Sequence, residues 1–112
     1  TPARLIAEVT ALAIGNLQTS SIPSGVYHLC SSGETNWHEF ACEIFKCAIE
    51  VGIPIIIKPS QVDMITSDQH PTPANRPLNS RLSTKKLERT LGIELPHWKM
   101  QLLLTLKERE LL

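Results

Sequence analysis

Apolar residues recur every three or four positions along residues 2–17, a spacing that places them on one face of a helix. A second stripe of the same kind begins after Asn36 and ends before Gly52. Thr35 or Asn36 is predicted to cap this second helix, and Asn36 with Glu39 has the spacing of a capping box, in which side chains bind the backbone N–H groups of the first helical turn. Both stretches are therefore predicted to be amphipathic helices. Their inward positions are Leu5, Ile6, Val9, Leu12, Ala13 and Leu17, then Trp37, Phe40, Ala41, Ile44, Phe45 and Ala48.

Two shorter helices are predicted in the last third of the chain. One runs from Ser83 to Gly92 and turns Leu87 and Leu91 inward. Glycine at its end fits the left-handed backbone conformation that commonly terminates a helix. The other begins at about Pro96, because proline is tolerated in a first helical turn. Its inner positions are Trp98, Leu102, Leu103 and Leu106.

Two short runs are rich in β-branched or aromatic residues, namely "GVYHL" (25–29) and "PIIIK" (54–58). Because a helix lies between them, they are predicted to pair in parallel through a right-handed crossover. A two-stranded sheet is too small to stand alone, so helices or another domain must cover it. The predicted fold is α/β: one small, mostly helical domain over residues 1–112, with a short two-stranded parallel sheet and four or five helices.

The segment "HPTPANRPLNSRL", residues 70–82 and named the proline segment below, favours neither helix nor strand because its three prolines remove backbone donors. Arg76 and Arg81 are its cations, and Asn75 and Asn79 flank them. The planar guanidinium suits phosphate oxygens, and a preordered backbone lowers the entropy cost of binding. The alternative is that both arginines pair with neighbouring carboxylates and the segment only crosses the surface.

Composition excludes several classes of function. Eleven basic and eleven acidic residues give a net charge of zero, which argues against a nucleic-acid or membrane-surface binder. The longest apolar runs are too short to span a bilayer. Three cysteines, an odd number without framework spacing, favour reduced thiols and a cytoplasmic protein. The chain opens at Thr1 without a leader pattern and is expected to be a piece of a longer protein.

Few side chains have the spacing of a catalytic or metal site. Cys30, His38 and Cys42 include one usable pair, but no second pair completes a tetrahedral metal site, and nothing indicates an activated thiol. Trp37 and Trp98 could stack on a base or sugar, but both lie on apolar stripes and are predicted to pack in the core.

The motifs of a nicotinamide-binding domain are missing from the chain. The five glycines are too widely spaced for a G-x-G-x-x-G turn. Tyr27 is the single tyrosine and is followed four residues later by Ser31, which excludes a Tyr-x-x-x-Lys pair. The charged run from Lys85 to Arg89 is interpreted as a solvated helix face.

Two long motifs resemble a known family. "GVYHLCSSGETNWHEFACEIF" and "HPTPANRPLNSRLSTKKLERTLGIELPHW" resemble the C-terminal part of the dTDP-4-dehydrorhamnose reductases, which are extended short-chain dehydrogenases/reductases. The opening "TPARLIAEVTALAI" fits the helix that precedes these motifs in the family. The resemblance implies a substrate-binding domain for a dTDP-sugar. The whole enzyme would reduce dTDP-4-dehydro-L-rhamnose to dTDP-L-rhamnose with NADPH, which is bound by an N-terminal Rossmann domain outside this chain.

The resemblance also implies which residues bind substrate. In related enzymes a basic loop of the small domain closes over the sugar nucleotide near its diphosphate. The matching positions are Arg76 and Arg81, with Asn75 and Asn79 as hydrogen-bonding support. His70 departs from the aromatic residue that many members have before P-T-P-A. No catalytic, cofactor-binding or metal-binding residue is expected within the chain.

The resemblance also bears on the oligomeric state of the protein. Some members are magnesium-linked homodimers through carboxylates on the first and last helices. Glu108 fits the last helix, but Arg4 stands where an acidic residue is often found, which argues against a metal-bridged homodimer.

One alternative to a reductase domain is a non-catalytic relative such as the regulatory beta subunit of methionine adenosyltransferase, although the P-T-P-A and L-P-x-W runs match the reductases more closely. Another is a plain helical interaction domain that binds no nucleotide sugar.

Overall fold

A computed structural model of the chain describes residues 1–19, 22–70, 72–74 and 76–109. Its helices and two 3₁₀ turns follow the order α1 (Ala3–Thr19), α2 (Trp37–Glu50), the turns Pro59–Gln61 and Ser67–Gln69, α3 (Lys85–Leu91) and α4 (Trp98–Arg109). The four helices predicted from periodicity are therefore present, and their predicted ends differ from the observed ones by at most two residues.

The chain divides into two compact units. The first unit comprises Thr1–Gly33 and Arg81–Gln101, and the second comprises Glu34–Ser80 and Leu102–Leu112. The expectation of one domain over residues 1–112 stays a prediction.

The predicted two-stranded sheet is wrong, and so is the α/β class. Within the described residues the β pairing consists of one isolated parallel bridge, between Ser32 and His97. Residues 25–29 belong to no helix or strand and precede that bridge, whereas residues 54–58 belong to the second unit. There Ile56 is 99% exposed, and the Lys58 N–H donates to the Gln61 side chain at 2.8 Å. The fold described is helical.

The core of the first unit joins α1, α3 and the chain after α3. Leu5 and Val9, one turn apart on α1, are buried together with Leu87 of α3 and with Leu95. Burial of apolar side chains of this size is the main source of stability in a small unit. The residues packed around this cluster are Tyr27, Leu29, Leu91 and Ile93.

The second unit is built on α2. Asn36 is the N-cap, as its spacing predicts, and its side chain accepts a hydrogen bond from the Glu39 N–H at 2.9 Å. Cys47 and Ala48 are the buried residues of the helix. Trp37, predicted to pack in the core, is 81% exposed and touches Phe40 edge to face, with ring centroids 6.4 Å apart. That prediction is wrong because Trp37 is the first residue of α2, where the helix begins.

Among the described residues, no helix is both long enough and apolar enough to cross a membrane.

Candidate functional site

The described part of the proline segment is an exposed stretch without helix or strand, as its prolines predict. Residues 72–74 and 76–82 are all exposed, and Leu78 is 93% exposed although it is apolar. Locally, the Thr72 hydroxyl donates to the Ala74 carbonyl at 3.0 Å. The segment therefore presents side chains of several kinds to the solvent.

The predicted ligand residues of this segment are distributed over both units. Arg76 is exposed and belongs to the second unit, as does Asn79. Arg81 is exposed and belongs to the first unit. Asn79 and Arg81 each make an interaction within the chain. Asn75 lies outside the described residues. The binding role of these four residues stays a prediction.

The approach to the proline segment is fixed by the 3₁₀ turn Ser67–Gln69. The Gln69 side chain accepts a hydrogen bond from the Thr66 N–H at 2.9 Å, and its Oε1 lies 3.2 Å from the Thr66 hydroxyl oxygen. The His70 N–H donates to the Ser67 carbonyl at 3.3 Å. The pKa of the Asp68 carboxyl is lowered by hydrogen bonds from the Thr66 side chain and from the backbone N–H of Asp68 itself. This carboxylate is therefore anionic at neutral pH. An anion therefore precedes the cations of the segment.

The chain that follows the segment is held by Glu88, a role that sequence reasoning missed. Its Oε1 accepts from the Leu95 N–H at 3.0 Å, and its Oε2 accepts from the Thr84 hydroxyl at 3.1 Å. One half-buried carboxylate thus joins the residue before α3 to the chain after it. The separation of Thr84 and Glu88 is four residues, one more than a capping box requires, so the pattern gave no signal.

Lys85, Lys86 and Arg89 are exposed, as expected for a solvated helix face, but Lys86 also has partners within the chain. Its ammonium donates to the Val26 carbonyl at 3.0 Å and lies 4.2 Å from the centre of the Tyr27 ring. A lysine over an aromatic face makes a cation–π contact in addition to the hydrogen bond. Gly25 fits against the same ammonium, because an added Cβ would lie 2.9 Å from Nζ. The helix face therefore binds the stretch that was predicted to be a strand.

His38 and Cys42 link α2 to the 3₁₀ turn Pro59–Gln61. The His38 Nε2 donates to the Val62 carbonyl at 3.0 Å, and the Cys42 thiol lies 3.7 Å from both that Nε2 and the Pro59 carbonyl. Cys30, the third residue of the rejected metal set, belongs to the first unit. Cys30, Cys42 and the buried Cys47 are free thiols. No group of three His, Cys, Asp or Glu side chains suited to a metal occurs within the described ranges.

Arg4 occupies the first-helix position discussed for a bridging metal. Its guanidinium bonds to the Glu8 carboxylate at 3.5 Å and to the Gln101 side chain at 3.3 Å, and Gln101 is only 6% exposed. A cation held at this position repels a divalent metal and does not fit a carboxylate ligand set. Glu108, the other position, is exposed on α4 and makes an interaction of its own.

Comparison with known proteins gives consistent matches. Residues 1–111 match the family model described as the RmlD substrate binding domain. The dTDP-4-dehydrorhamnose reductase of Escherichia coli K12 is 37% identical over 100 residues, which cover 89% of this chain and 33% of that protein. The reductase of Burkholderia thailandensis is 39% identical over 103 residues, which cover 87% of this chain and 34% of that protein.

A relative with a different name extends the set. The spore coat polysaccharide biosynthesis protein SpsK of Bacillus subtilis is 33% identical over 98 residues, which cover 88% of this chain and 31% of that protein. The chain thus spans about a third of the length of these curated relatives.

Proposed function

Because the chain belongs to the family of RmlD substrate binding domains, we propose that it forms the nucleotide-sugar-binding part of a dTDP-4-dehydrorhamnose reductase. The observation that carries this proposal is the family match over residues 1–111, nearly the whole chain. The names of the reductase relatives support the same assignment. In this proposal the substrate is dTDP-4-dehydro-L-rhamnose and the product is dTDP-L-rhamnose.

The proposal gives the chain binding but not the redox chemistry. NADPH would supply the hydride in the whole enzyme. The residues here do not fit this cofactor, because the five glycines cannot form its phosphate turn and the single tyrosine lacks its lysine partner. We therefore assign the cofactor to an N-terminal Rossmann domain outside the chain. The proposed compartment is the cytoplasm, because three free thiols suit a reducing environment. The proposed assembly is a homodimer without a bridging metal.

The proline segment is the part of the chain that we propose to hold the diphosphate. Arg76 and Arg81 provide guanidinium groups that can bind two phosphate oxygens at once. The asparagines at 75 and 79 provide neutral donors. Prolines at 71, 73 and 77 restrict the unbound backbone, so less conformational entropy is lost on binding.

Calorimetric titration of the chain with dTDP tests this assignment. We expect Arg76→Ala and Arg81→Ala each to weaken binding by about 10- to 100-fold, the cost of losing a charge-assisted hydrogen bond. Arg89→Ala is the matched control, since it removes the same charge from an exposed position of α3. An equal, small loss of dTDP affinity in all three variants would indicate that the arginines act only through general charge attraction. Undiminished affinity in both proline-segment variants would exclude these arginines as ligands.

Failure of the chain to bind dTDP would instead favour the alternative of a plain helical interaction domain that binds no nucleotide sugar. The test must therefore include the nucleotide and the sugar nucleotide separately. We expect dTDP-L-rhamnose to bind at least as tightly as dTDP, because the diphosphate contacts are shared. Binding of neither compound, by a chain with a well-dispersed NMR spectrum, would overturn the proposed function of the isolated chain.

A further inference from the structure

The first turn of α4 is capped by a histidine ring. His97 directly precedes the helix, and its carbonyl accepts the first helical hydrogen bond, from the Gln101 N–H at 3.2 Å. Its side-chain Nδ1 accepts a second bond, from the Lys99 N–H at 3.3 Å. This is the bond that Asp, Asn, Ser or Thr commonly makes at an N-cap. Here the acceptor is a nitrogen that can be protonated.

His97 also takes part in the parallel β bridge with Ser32. The Ser32 N–H donates to the Pro96 carbonyl at 2.9 Å, and the Trp98 N–H donates to the Ser32 carbonyl at 3.0 Å. Gly33, at φ +88°, lies against the imidazole so closely that an added Cβ would overlap the His97 ring. The Trp98 ring lies beside the His97 ring, with centroids 5.8 Å apart, and an added Cβ at Gly33 would also lie 3.0 Å from the Trp98 Cδ1. The position of the His97 ring thus affects both the helix start and the loop at 31–33.

We propose that His97 makes the start of α4 a pH-sensitive cap, closed while the imidazole is neutral and weakened when it gains a proton. An Nδ1 that carries hydrogen cannot accept from the Lys99 N–H, so the capping bond is lost. The added positive charge also lies at the positive end of the helix dipole, where it is unfavourable. Histidine is the one side chain whose unperturbed form changes charge between about pH 5 and 8, and this is the range over which the proposal is tested.

Charged groups on the elements around this turn influence how readily the His97 ring takes up a proton. Lys99 places its ammonium 5.5 Å from the centre of the Trp98 ring, on the helix that His97 caps. Arg4 of α1 bonds to Gln101, one turn farther along α4. Lys99 disfavours a further positive charge in this turn, whereas the charge of Arg4 is offset in part by its ion pair with Glu8. Glu34 follows Gly33 in the chain and is the acidic residue to control for in a test.

The test is a pH titration of the ¹⁵N-labelled chain between pH 8 and pH 5. At pH 8 the ring ¹⁵N shifts of His97 are expected to show the tautomer with hydrogen on Nε2 and a bare Nδ1. As the ring gains its proton, the protection of the Lys99 amide against exchange, corrected for intrinsic rates, should fall by about fivefold, the typical effect of losing a cap. The Trp98 amide, bonded to Ser32, should follow in the same pH range.

His97→Asn is the decisive variant, because asparagine caps a helix but does not titrate in this range. It should keep the Lys99 amide protected within about twofold from pH 8 to pH 5. His28→Asn and Glu34→Gln serve as controls and should leave the wild-type response intact. A bare Nε2 with hydrogen on Nδ1 at pH 8 would overturn the proposal. So would an equal loss of Lys99 protection in wild type and His97→Asn.

Discussion

Glu88 shows how one side chain can fix a stretch that has no strand to hold it. Its two oxygens accept from the Leu95 N–H and from the Thr84 hydroxyl, at 3.0 and 3.1 Å. Leu95 itself is 5% exposed and belongs to the core of the first unit. Because a buried N–H without an acceptor costs more than a made bond gains, the loss of this carboxylate is felt at the core.

Replacing Glu88 tests this role in the free energy of unfolding. We expect Glu88→Ala to destabilise the chain by about 2 kcal/mol, because the Leu95 N–H loses its acceptor. Glu88→Gln should cost less than about 1 kcal/mol, since an amide oxygen can still accept from Leu95. Glu94→Ala, at an exposed position, should stay within about 0.5 kcal/mol of wild type. Urea unfolding of the three variants measures the differences, and equal values for the two alanine variants would contradict the assignment.

Single residues also mark what the sequence could not predict. The periodic pattern places Trp37 on the apolar face of α2 correctly, but a pattern does not say whether another element covers that end of the helix. Lys86 was assigned to solvent by its charge, yet it binds a carbonyl and an aromatic ring sixty residues away in sequence. Such long-range partners leave no local pattern. In contrast, Asn36 was predictable because its capping bond spans three residues.

At the scale of elements, helix ends were more predictable than strand pairs. Gly92 ends α3 in the left-handed conformation, with φ 65° and ψ 37°, as its place in the pattern predicts. The β-prone runs 25–29 and 54–58 failed as strands because a strand needs a partner edge, and β-propensity does not identify one. Their backbone groups bond locally or to side chains, as for Lys58 with Gln61.

Two glycine-to-alanine changes should have opposite effects on stability. Gly92→Ala is expected to destabilise the chain by about 1 kcal/mol, because the left-handed conformation is strained for alanine although space is open around an added Cβ. Gly15→Ala lies inside α1, also in open space, and should stabilise by about 0.5–1 kcal/mol, since alanine is the better helix former. Thermal or urea unfolding gives both values. Changes of the same sign would contradict the backbone account.

At the scale of the whole molecule, the chain is a third of the length of its curated relatives and divides into two compact units. The family was predictable because long motifs such as "HPTPANRPLNSRL" carry it without any knowledge of the fold. The candidate site was predictable only as a set of residue types. That Arg76 and Arg81 contact a ligand stays a prediction, because such contacts depend on long-range placement that no local sequence pattern reveals.

A ¹⁵N NMR titration of the chain with dTDP shows whether the proline segment binds the nucleotide. We expect a well-dispersed spectrum in which the amide shifts that change with saturable binding are concentrated in residues 70–82. Arg76→Ala should reduce these changes at the same dTDP concentration, whereas Arg89→Ala should preserve them. A dispersed spectrum in which residues 70–82 do not respond to millimolar dTDP would contradict the claim that the proline segment holds the nucleotide diphosphate.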